Sequence, residues 1–188
     1  MLSRRVFLLT AFTAASLPVL GYTGLTTKLR NKKIAVLSEN DCFDTKLFYS
    51  SLPSKCIDTD PGLALQELDR SMRRKEFEFL FGLSRDSNFM LIEQYALANS
   101  YQLQYHGSHK YDSHSISHSL SGNQEVIEAL SQIVINEDET WSKTISQVPL
   151  LSSFDKPSMV NKIIRSGHRR PEGSPGQLAS WLFRSRTA

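Results

Sequence analysis

Cysteine is scarce in this 188-residue sequence, which contains only Cys42 and Cys56. Two cysteines cannot form the set of several disulfides that holds many small secreted domains together. The chain must therefore be stabilised mainly by an apolar core. The roughly 165 residues beyond the N-terminal segment are enough to bury one.

An apolar run long enough to cross a membrane comfortably is also missing. Residues 6–20 form a run of about 15 residues, whereas a spanning helix needs roughly 20. Arg4 and Arg5 precede this run and small residues follow it, which is the layout of a secretory signal. The stretch "SRRVFL" resembles the twin-arginine export motif, by which bacteria export folded proteins.

We therefore predict a twin-arginine signal peptide over residues 1–22 and a transient contact with the twin-arginine translocase. The expected location is the periplasm, or another exported location of a bacterium. Retention of the segment as a membrane anchor is the alternative. An exported protein is not expected to bind nucleic acid.

Acidic residues are absent from residues 1–37, which contain six basic ones. Residues 38–152 contain 9 basic and 17 acidic residues, whereas residues 153–188 contain 7 basic and 2 acidic ones. An acidic body thus carries a basic C-terminal tail. We expect the tail either to fold back on the body or to contact an anionic membrane surface or a partner.

Strand-like and helical patterns alternate along the acidic body. This alternation predicts an α/β fold, a three-layer sandwich with a mostly parallel, mixed-edge sheet and helices on both faces. The strands are predicted at "KIAVL", "KCID", "FEFLFGL", "YQLQYH" and "SISHSLS". The predicted domains are a signal peptide (1–22), a linker (23–32), an α/β domain (33–152) and a basic extension with short helices (153–188).

Three local patterns within this scheme make specific predictions. Alternation in "FEFLFGL" places Phe77, Phe79 and Phe81 on one face of a strand. Residues 89–98 are apolar around the helix circumference and are expected to be well covered. The side chains of "YQLQYH" are expected to alternate strictly, with Tyr101, Leu103 and Tyr105 on one side.

The order of elements from residue 33 to residue 148 resembles one lobe of the bacterial periplasmic solute-binding proteins. The resemblance rests on "KKIAVLSENDCFD", on "IDTDPGLALQELDRSMRRKEFEFLFGL" and on "GNQEVIEALSQIVINEDETWSKTISQ", and no single motif in it is specific. It implies ligand binding without catalysis. The chain departs from the family because it has room for only one of the two lobes. Leu83 and Ser84 also stand where the family usually places an acidic residue.

A ligand site is predicted where two polar loops follow neighbouring strands, because ligands bind outside the carboxyl ends of strands in α/β sheets. Each loop precedes a helix, whose first N–H groups can bind an anion. Arg85 adds a guanidinium group suited to carboxylate or phosphate. Ordinary helix capping is the alternative role of these residues. The predicted ligand-binding residues are Ser38, Glu39, Asn40, Asp41, Ser84, Arg85, Asp86 and Ser87.

Four of the five histidines lie in the stretch "HGSHKYDSHSISH", read as a Ser/His-rich loop at residues 106–118. Imidazole is a good ligand for transition metals, so His106 and His109 are candidate metal ligands. Their spacing matches no recognised zinc pattern, and a solvated hairpin loop is the alternative. A hydrolase has little support, because no Gly-x-Ser-x-Gly motif is present.

The sequence thus favours an exported, solute-binding-like α/β protein without catalytic activity. It is expected to bind a small anionic or zwitterionic ligand, or to serve as an accessory protein. The alternatives are a metal-binding accessory protein that uses the His-rich stretch and an enzyme of unidentified type. No cofactor is assigned. We expect no Cys42–Cys56 disulfide, because the predicted topology places the two residues at opposite ends of the sheet.

Overall fold

The computed structural model describes residues 34–39, 42–51, 63–136, 140–151, 159–167 and 171–186. The helices are α1 (Phe43–Ser50), α2 (Leu63–Arg73), α3 (Asp86–Ala98), α4 (Gln124–Asn136), α5 (Trp141–Ile145) and α6 (Val148–Leu151). The strands are β1 (Ile34–Ser38), β2 (Phe79–Arg85), β3 (Tyr101–Tyr111), β4 (Ile116–Asn123), β5 (Met159–Ser166) and β6 (Gln177–Ser185). The predicted signal peptide, the linker and the predicted "KCID" strand lie outside the described residues.

The six strands form one mixed sheet in the order β1-β2-β6-β3-β4-β5. Of the described strand pairs, β1–β2 is parallel and the other four are antiparallel. The predicted α/β fold is confirmed, but the prediction of a mostly parallel sheet is wrong. The sheet differs because β3 and β4 form a hairpin and because β6 enters between β2 and β3.

The C-terminal segment contributes strands, so the prediction of short helices there is wrong. β6 runs antiparallel between β2 and β3, and β5 forms the edge of the sheet beside β4. Residues 178–183 are all buried, as expected for a strand covered on both faces. A short apolar run of this kind cannot be distinguished from a buried helix by periodicity alone.

Apolar side chains form two clusters on opposite faces of the sheet. All five residues of β1 are buried, and the four apolar ones, residues 34–37, alternate between the two clusters. We call one side the Trp141 face; it includes Ile34, Val36, Phe79, Phe81 and Leu182 with Phe48 of α1, Leu130 of α4, and Trp141 and Ile145 of α5. We call the other side the Phe89 face; it includes Ala35, Leu37, Leu80, Trp181 and Phe183 with Leu68 and Met72 of α2, and Phe89 and Ile92 of α3.

A bulge in β3 changes which side chains share a face. The pairing of β3 with β6 shifts between Leu103, opposite Phe183, and Tyr105, opposite Leu182. Tyr101 and Leu103 therefore pack on the Phe89 face, whereas Tyr105 packs on the Trp141 face. The predicted strict alternation of the three is wrong, because the extra residue of a bulge reverses the side-chain direction beyond it.

Two further predictions on this part of the sheet also need correction. Phe79 and Phe81 share the Trp141 face as expected, but Phe77 precedes β2 and packs on the Phe89 face. α3 forms where predicted, but its outer side is not covered. Met90 and Leu97 are 57% and 53% exposed.

Among the described residues, no helix is both long and apolar enough to span a membrane.

Candidate functional site

The two loops predicted to form a ligand site meet in the structure. β1 and β2 pair in parallel, with Ser38 opposite Leu83. Glu39, after β1, and Arg85, at the end of β2, therefore lie at the same end of the sheet, beyond the carboxyl ends of the two strands. This is where α/β proteins commonly bind ligands. Asn40 and Asp41, also predicted for this site, lie outside the described residues.

The carboxylate of Glu39 occupies the position in which an anionic ligand was expected. Glu39 is buried, and its Oε1 accepts a hydrogen bond from the backbone N–H of Arg85 at 3.1 Å and another from Nδ2 of Asn88. Its Oε2 lies 3.4 Å from Nε of Arg85. The N-terminus of α3 and the Arg85 guanidinium are therefore already compensated by a negative charge of the chain itself.

The other predicted residues of this site do not converge on one point. The Ser38 hydroxyl lies 3.5 Å from the backbone oxygen of Thr45, on the Trp141 face. The Ser84 hydroxyl lies on the Phe89 face, where it accepts a hydrogen bond from Nε1 of Trp181 at 3.4 Å. Asp86 and Ser87 form the first turn of α3. These contacts join β1 to α1 and β2 to β6, and they direct the two hydroxyls to opposite faces of the sheet.

The histidine-rich stretch is a β-hairpin, and the turn between its strands lies at residues 112–115. His109 of β3 pairs directly with His118 of β4, and both are fully buried. His106 lies on the opposite face of β3, where its ring stacks on Phe89 with a centroid distance of 4.7 Å. His106 and His109 therefore cannot bind the same metal ion in this arrangement. In the described parts of the chain, no group of three or more His, Cys, Asp or Glu could hold a metal ion.

Buried polar groups on the Trp141 face form a hydrogen-bonded chain across β3, β4 and β6. The Tyr105 hydroxyl lies 2.9 Å from Oγ of Ser180, which lies 2.7 Å from Nε2 of His109. Nδ1 of His109 in turn lies 2.7 Å from Nδ1 of His118. Gly107 makes room for this chain, because a Cβ there would meet the Ser180 oxygen at 2.5 Å and the Tyr105 oxygen at 2.6 Å.

Burial favours the neutral forms of His109 and Tyr105. Burial keeps the pKa of His109 well below its ordinary value, and the nearby His118 and His106 lower it further. Burial also raises the pKa of Tyr105, against a smaller lowering by the hydrogen bond to Ser180. The Ser180–His109 pair resembles a nucleophile and its base. Ser180 is fully buried, however, and the Trp141 ring lies 4.2 Å from the His109 ring. We therefore assign a structural role to these hydrogen-bonded side chains.

A second cluster of buried polar side chains surrounds the Asp44 carboxylate. It accepts hydrogen bonds from the hydroxyl of Tyr111 and from that of Ser174, each at 3.1 Å. Nε1 of Trp141 donates to the Tyr111 oxygen at 2.9 Å. Burial raises the pKa of Asp44, and the hydrogen bonds from Tyr111 and Ser174 oppose this. These contacts tie α1, β3, α5 and the segment before β6 together.

A cleft of about 290 Å³, lined mainly by polar side chains, lies between α2 and α3. Its α2 wall comes from residues at positions i, i+3, i+4 and i+7, which lie on one face of a helix. The lining residues are Gln66, Asp69, Arg70, Arg73 and Tyr95. The spacing in "QELDRSMR" could have indicated this polar face. The cleft itself was not predicted, because α3, which completes it, is brought there only by the tertiary fold.

Opposite charges line the cleft side by side. Oδ2 of Asp69 pairs with Nε of Arg73 at 2.9 Å, and Oδ1 accepts a hydrogen bond from Nδ2 of Asn99 at 2.8 Å. The hydrogen bond from Asn99 and the charge of Arg73 lower the pKa of Asp69. Arg70 is exposed on the same wall, and Tyr95 is half-buried opposite. The cleft thus combines a guanidinium, a carboxylate and an aromatic ring.

Comparison with known proteins gives no relative: no protein-family model, no curated protein and no solved structure matches this chain. Its function must therefore be inferred from its own residues.

Proposed function

We propose that this chain is an exported α/β binding protein that holds a small zwitterionic or anionic ligand in the cleft between α2 and α3. The observation that carries the proposal is the placement of Arg70, Asp69 and Tyr95 around one cleft of about 290 Å³. The proposal includes a three-layer arrangement, which the apolar clusters on both faces of the sheet support. The resemblance to one solute-binding lobe agrees with this role.

The lining residues offer a complementary partner for each part of an amino-acid-like ligand. A guanidinium binds a carboxylate with two parallel hydrogen bonds, and Arg70 binds the carboxylate of the ligand in this way. The Asp69 carboxylate has acceptor positions beyond those used by Arg73 and Asn99, and these can receive an ammonium group. The Tyr95 ring provides an apolar contact for the side chain of the ligand. A simple anion would use Arg70 alone.

The cleft is a better candidate for the ligand site than the end of the sheet at which Glu39 and Arg85 lie. There, the buried Glu39 carboxylate already pairs with Arg85 and with the start of α3. An anion would have to displace it. The metal-carrying alternative is weakened, because His106 and His109 lie on opposite faces of β3.

We expect a screen of L-amino acids and small dicarboxylates such as succinate to identify a stabilising ligand. At a ligand concentration about 100 times Kd, the melting temperature should rise by roughly 5–10 °C. Arg70→Ala should weaken binding by roughly ten- to a hundredfold, because it removes charge-assisted hydrogen bonds. Titration calorimetry on the purified protein provides the measurement.

Arg74→Ala is the matched control for the ligand experiment. Arg74 directly follows the last residue of α2 and does not line the cleft; its side chain lies 3.8 Å from Glu76 and is 68% exposed. Its replacement should leave Kd unchanged. If no ligand in the panel stabilises the protein, or if both variants weaken binding equally, the cleft is not the binding site.

Export is the second part of the proposal, and it rests on "SRRVFL" and on the apolar run at residues 6–20. We expect the double substitution Arg4→Lys and Arg5→Lys to block export of the full chain through the twin-arginine translocase. Cell fractionation and immunoblotting should then find the protein in the cytoplasm, whereas the wild-type chain is exported. Lys28→Arg together with Lys32→Arg is the control and should not affect export. Unchanged export of the paired-arginine variant would exclude this route.

A further inference from the structure

The chain enters the described fold at one particular end of the sheet, which we call the entry end. β1 begins there with Ile34 opposite Phe79, and β6 ends there with Ser185 opposite Tyr101. α2 and α3 also end there, because Arg73 precedes β2 and Ala98 precedes β3. The contacts between these ends are close. The backbone N–H of Ser185 donates to Glu78 at 2.8 Å, and that of Arg186 donates to Ser100 at 3.0 Å.

Basic side chains from two of these elements meet at the entry end. The bases are Arg73, Arg74, Lys75, Arg184 and Arg186, and the acids beside them are Asp69, Glu76 and Glu78. Each of these acids lies within 4.0 Å of one arginine, which leaves an excess of two positive charges. Lys75 remains exposed while its Nζ binds the carbonyl of Asn99 at 2.5 Å. Glu125 and Glu128 belong to α4, which begins directly after β4, and β3 separates β4 from β6 in the sheet.

Further basic residues precede β1 in the sequence. Residues 23–33 contain Lys28, Arg30, Lys32 and Lys33 and no acidic residue, and they follow the apolar run at residues 6–20. They join β1 at the entry end. Leu97, on the last turn of α3, is 53% exposed at the same end. The sequence thus has an apolar run and a basic stretch before β1, and the entry end itself is basic and carries an exposed leucine.

We propose that the entry end is a membrane-facing surface that lies on an anionic lipid bilayer. Basic residues near an anionic bilayer are attracted to it, and basic clusters beside an apolar segment are typical of such contacts. Exposed arginines pair with lipid phosphates, and Leu97 can enter the interface between headgroups and acyl chains. This surface includes Arg184 and Arg186 of the segment that was predicted to contact a membrane as a basic tail, but residues 177–185 of that segment form β6 inside the sheet.

Vesicle co-sedimentation of the full chain tests this proposal. The probes are vesicles of phosphatidylglycerol mixed with phosphatidylcholine and vesicles of phosphatidylcholine alone. The apolar run contributes to binding in both, so the quantity of interest is the preference for the anionic vesicles. The double variant Arg74→Glu and Arg186→Glu should reduce that preference by about twentyfold or more, because each basic residue near the surface contributes roughly fivefold.

The control variant, Lys110→Glu together with Arg165→Glu, makes the same charge change at the opposite end of the sheet. Lys110 and Arg165 are both exposed, near the ends of β3 and β5. The control should retain at least most of the preference. Equal losses in the two variants, no loss in either, or no preference for anionic vesicles in the wild type would each overturn the proposal. Arg74→Gln with Arg186→Gln replaces the first variant if circular dichroism shows that it is unfolded.

Discussion

A chain that ends at Gly176, and so lacks β6, should show no cooperative unfolding transition. β6 pairs with β2 over seven residues and with β3 over nine, so its loss would divide the sheet into two parts. Its side chains Leu178, Trp181, Leu182 and Phe183 are all fully buried and serve both faces of the sheet. At about 1.5–3 kcal/mol each, their burial is comparable to the entire stability of a typical domain, about 5–15 kcal/mol.

The measurement is thermal and urea unfolding followed by circular dichroism, together with dispersion of the amide NMR spectrum. A chain that ends at Arg186 keeps β6 and serves as the control, and it should unfold cooperatively like the wild type. Retention of a cooperative transition without β6 would show that the strand is dispensable.

A single substitution gives a graded version of the same test. Trp181 lies opposite Gly82 in β2, where its ring packs so closely that Gly82 has no room for a Cβ. Its Nε1 donates to the Ser84 hydroxyl. Trp181→Ala should therefore lower the free energy of unfolding by about 3–5 kcal/mol. Thr187→Ala, beyond the end of β6, should change it by less than about 0.5 kcal/mol.

The part of the fold that could be predicted from sequence is the part built from local patterns. The runs "KIAVL" and "FEFLFGL" were assigned to adjacent parallel strands, and β1 and β2 pair in this way. The proximity of Glu39 and Arg85 at one end of the sheet follows from that pairing. The apolar pattern of residues 89–98 also located α3 within a few residues.

The rest depends on contacts between residues far apart in sequence. Residues 177–185 have a run that is apolar on both sides, and only their insertion between β2 and β3 distinguishes a strand from a helix. The bulge at Gln104 is set by pairing with β6, and a strict alternation rule cannot anticipate it. The role of Glu39 as the anion at α3 depends on side-chain packing, which the residue types alone left open between ligand binding and capping.

The stability of this protein should fall as the pH is lowered from about 8 to about 5, and His109 should be a main cause. Its pKa in the folded state is held well below the ordinary value by burial, with further lowering from His118 and His106. In the unfolded chain it should titrate near about 6.5. Below that pH the unfolded state binds a proton that the folded state does not. Stability is therefore greatest above about pH 6.5 and declines below it by up to about 1.4 kcal/mol per pH unit.

His109→Gln separates this effect from others. Glutamine does not titrate, so the variant should lose most of the slope that His109 contributes. At about pH 8 it should be less stable than the wild type by about 1–3 kcal/mol, because the hydrogen bonds to Ser180 and His118 are disturbed. Urea unfolding at a series of pH values gives both quantities. His114→Gln, in the exposed turn between β3 and β4, is the matched control and should leave the profile unchanged.

Other buried titratable groups near His109 also contribute to the pH dependence of stability. His106 has a pKa lowered by burial, so it adds to the slope in the same direction. Asp44 acts in the opposite direction, because its raised pKa makes the folded state hold a proton more tightly as the pH approaches the ordinary carboxyl value. The difference between His109→Gln and the wild type from about pH 8 to about pH 5 therefore isolates the contribution of His109. If His109→Gln keeps the wild-type slope there, the imidazole is not neutral inside the sheet, and the hydrogen-bonded chain from Tyr105 to His118 does not exist in the form described.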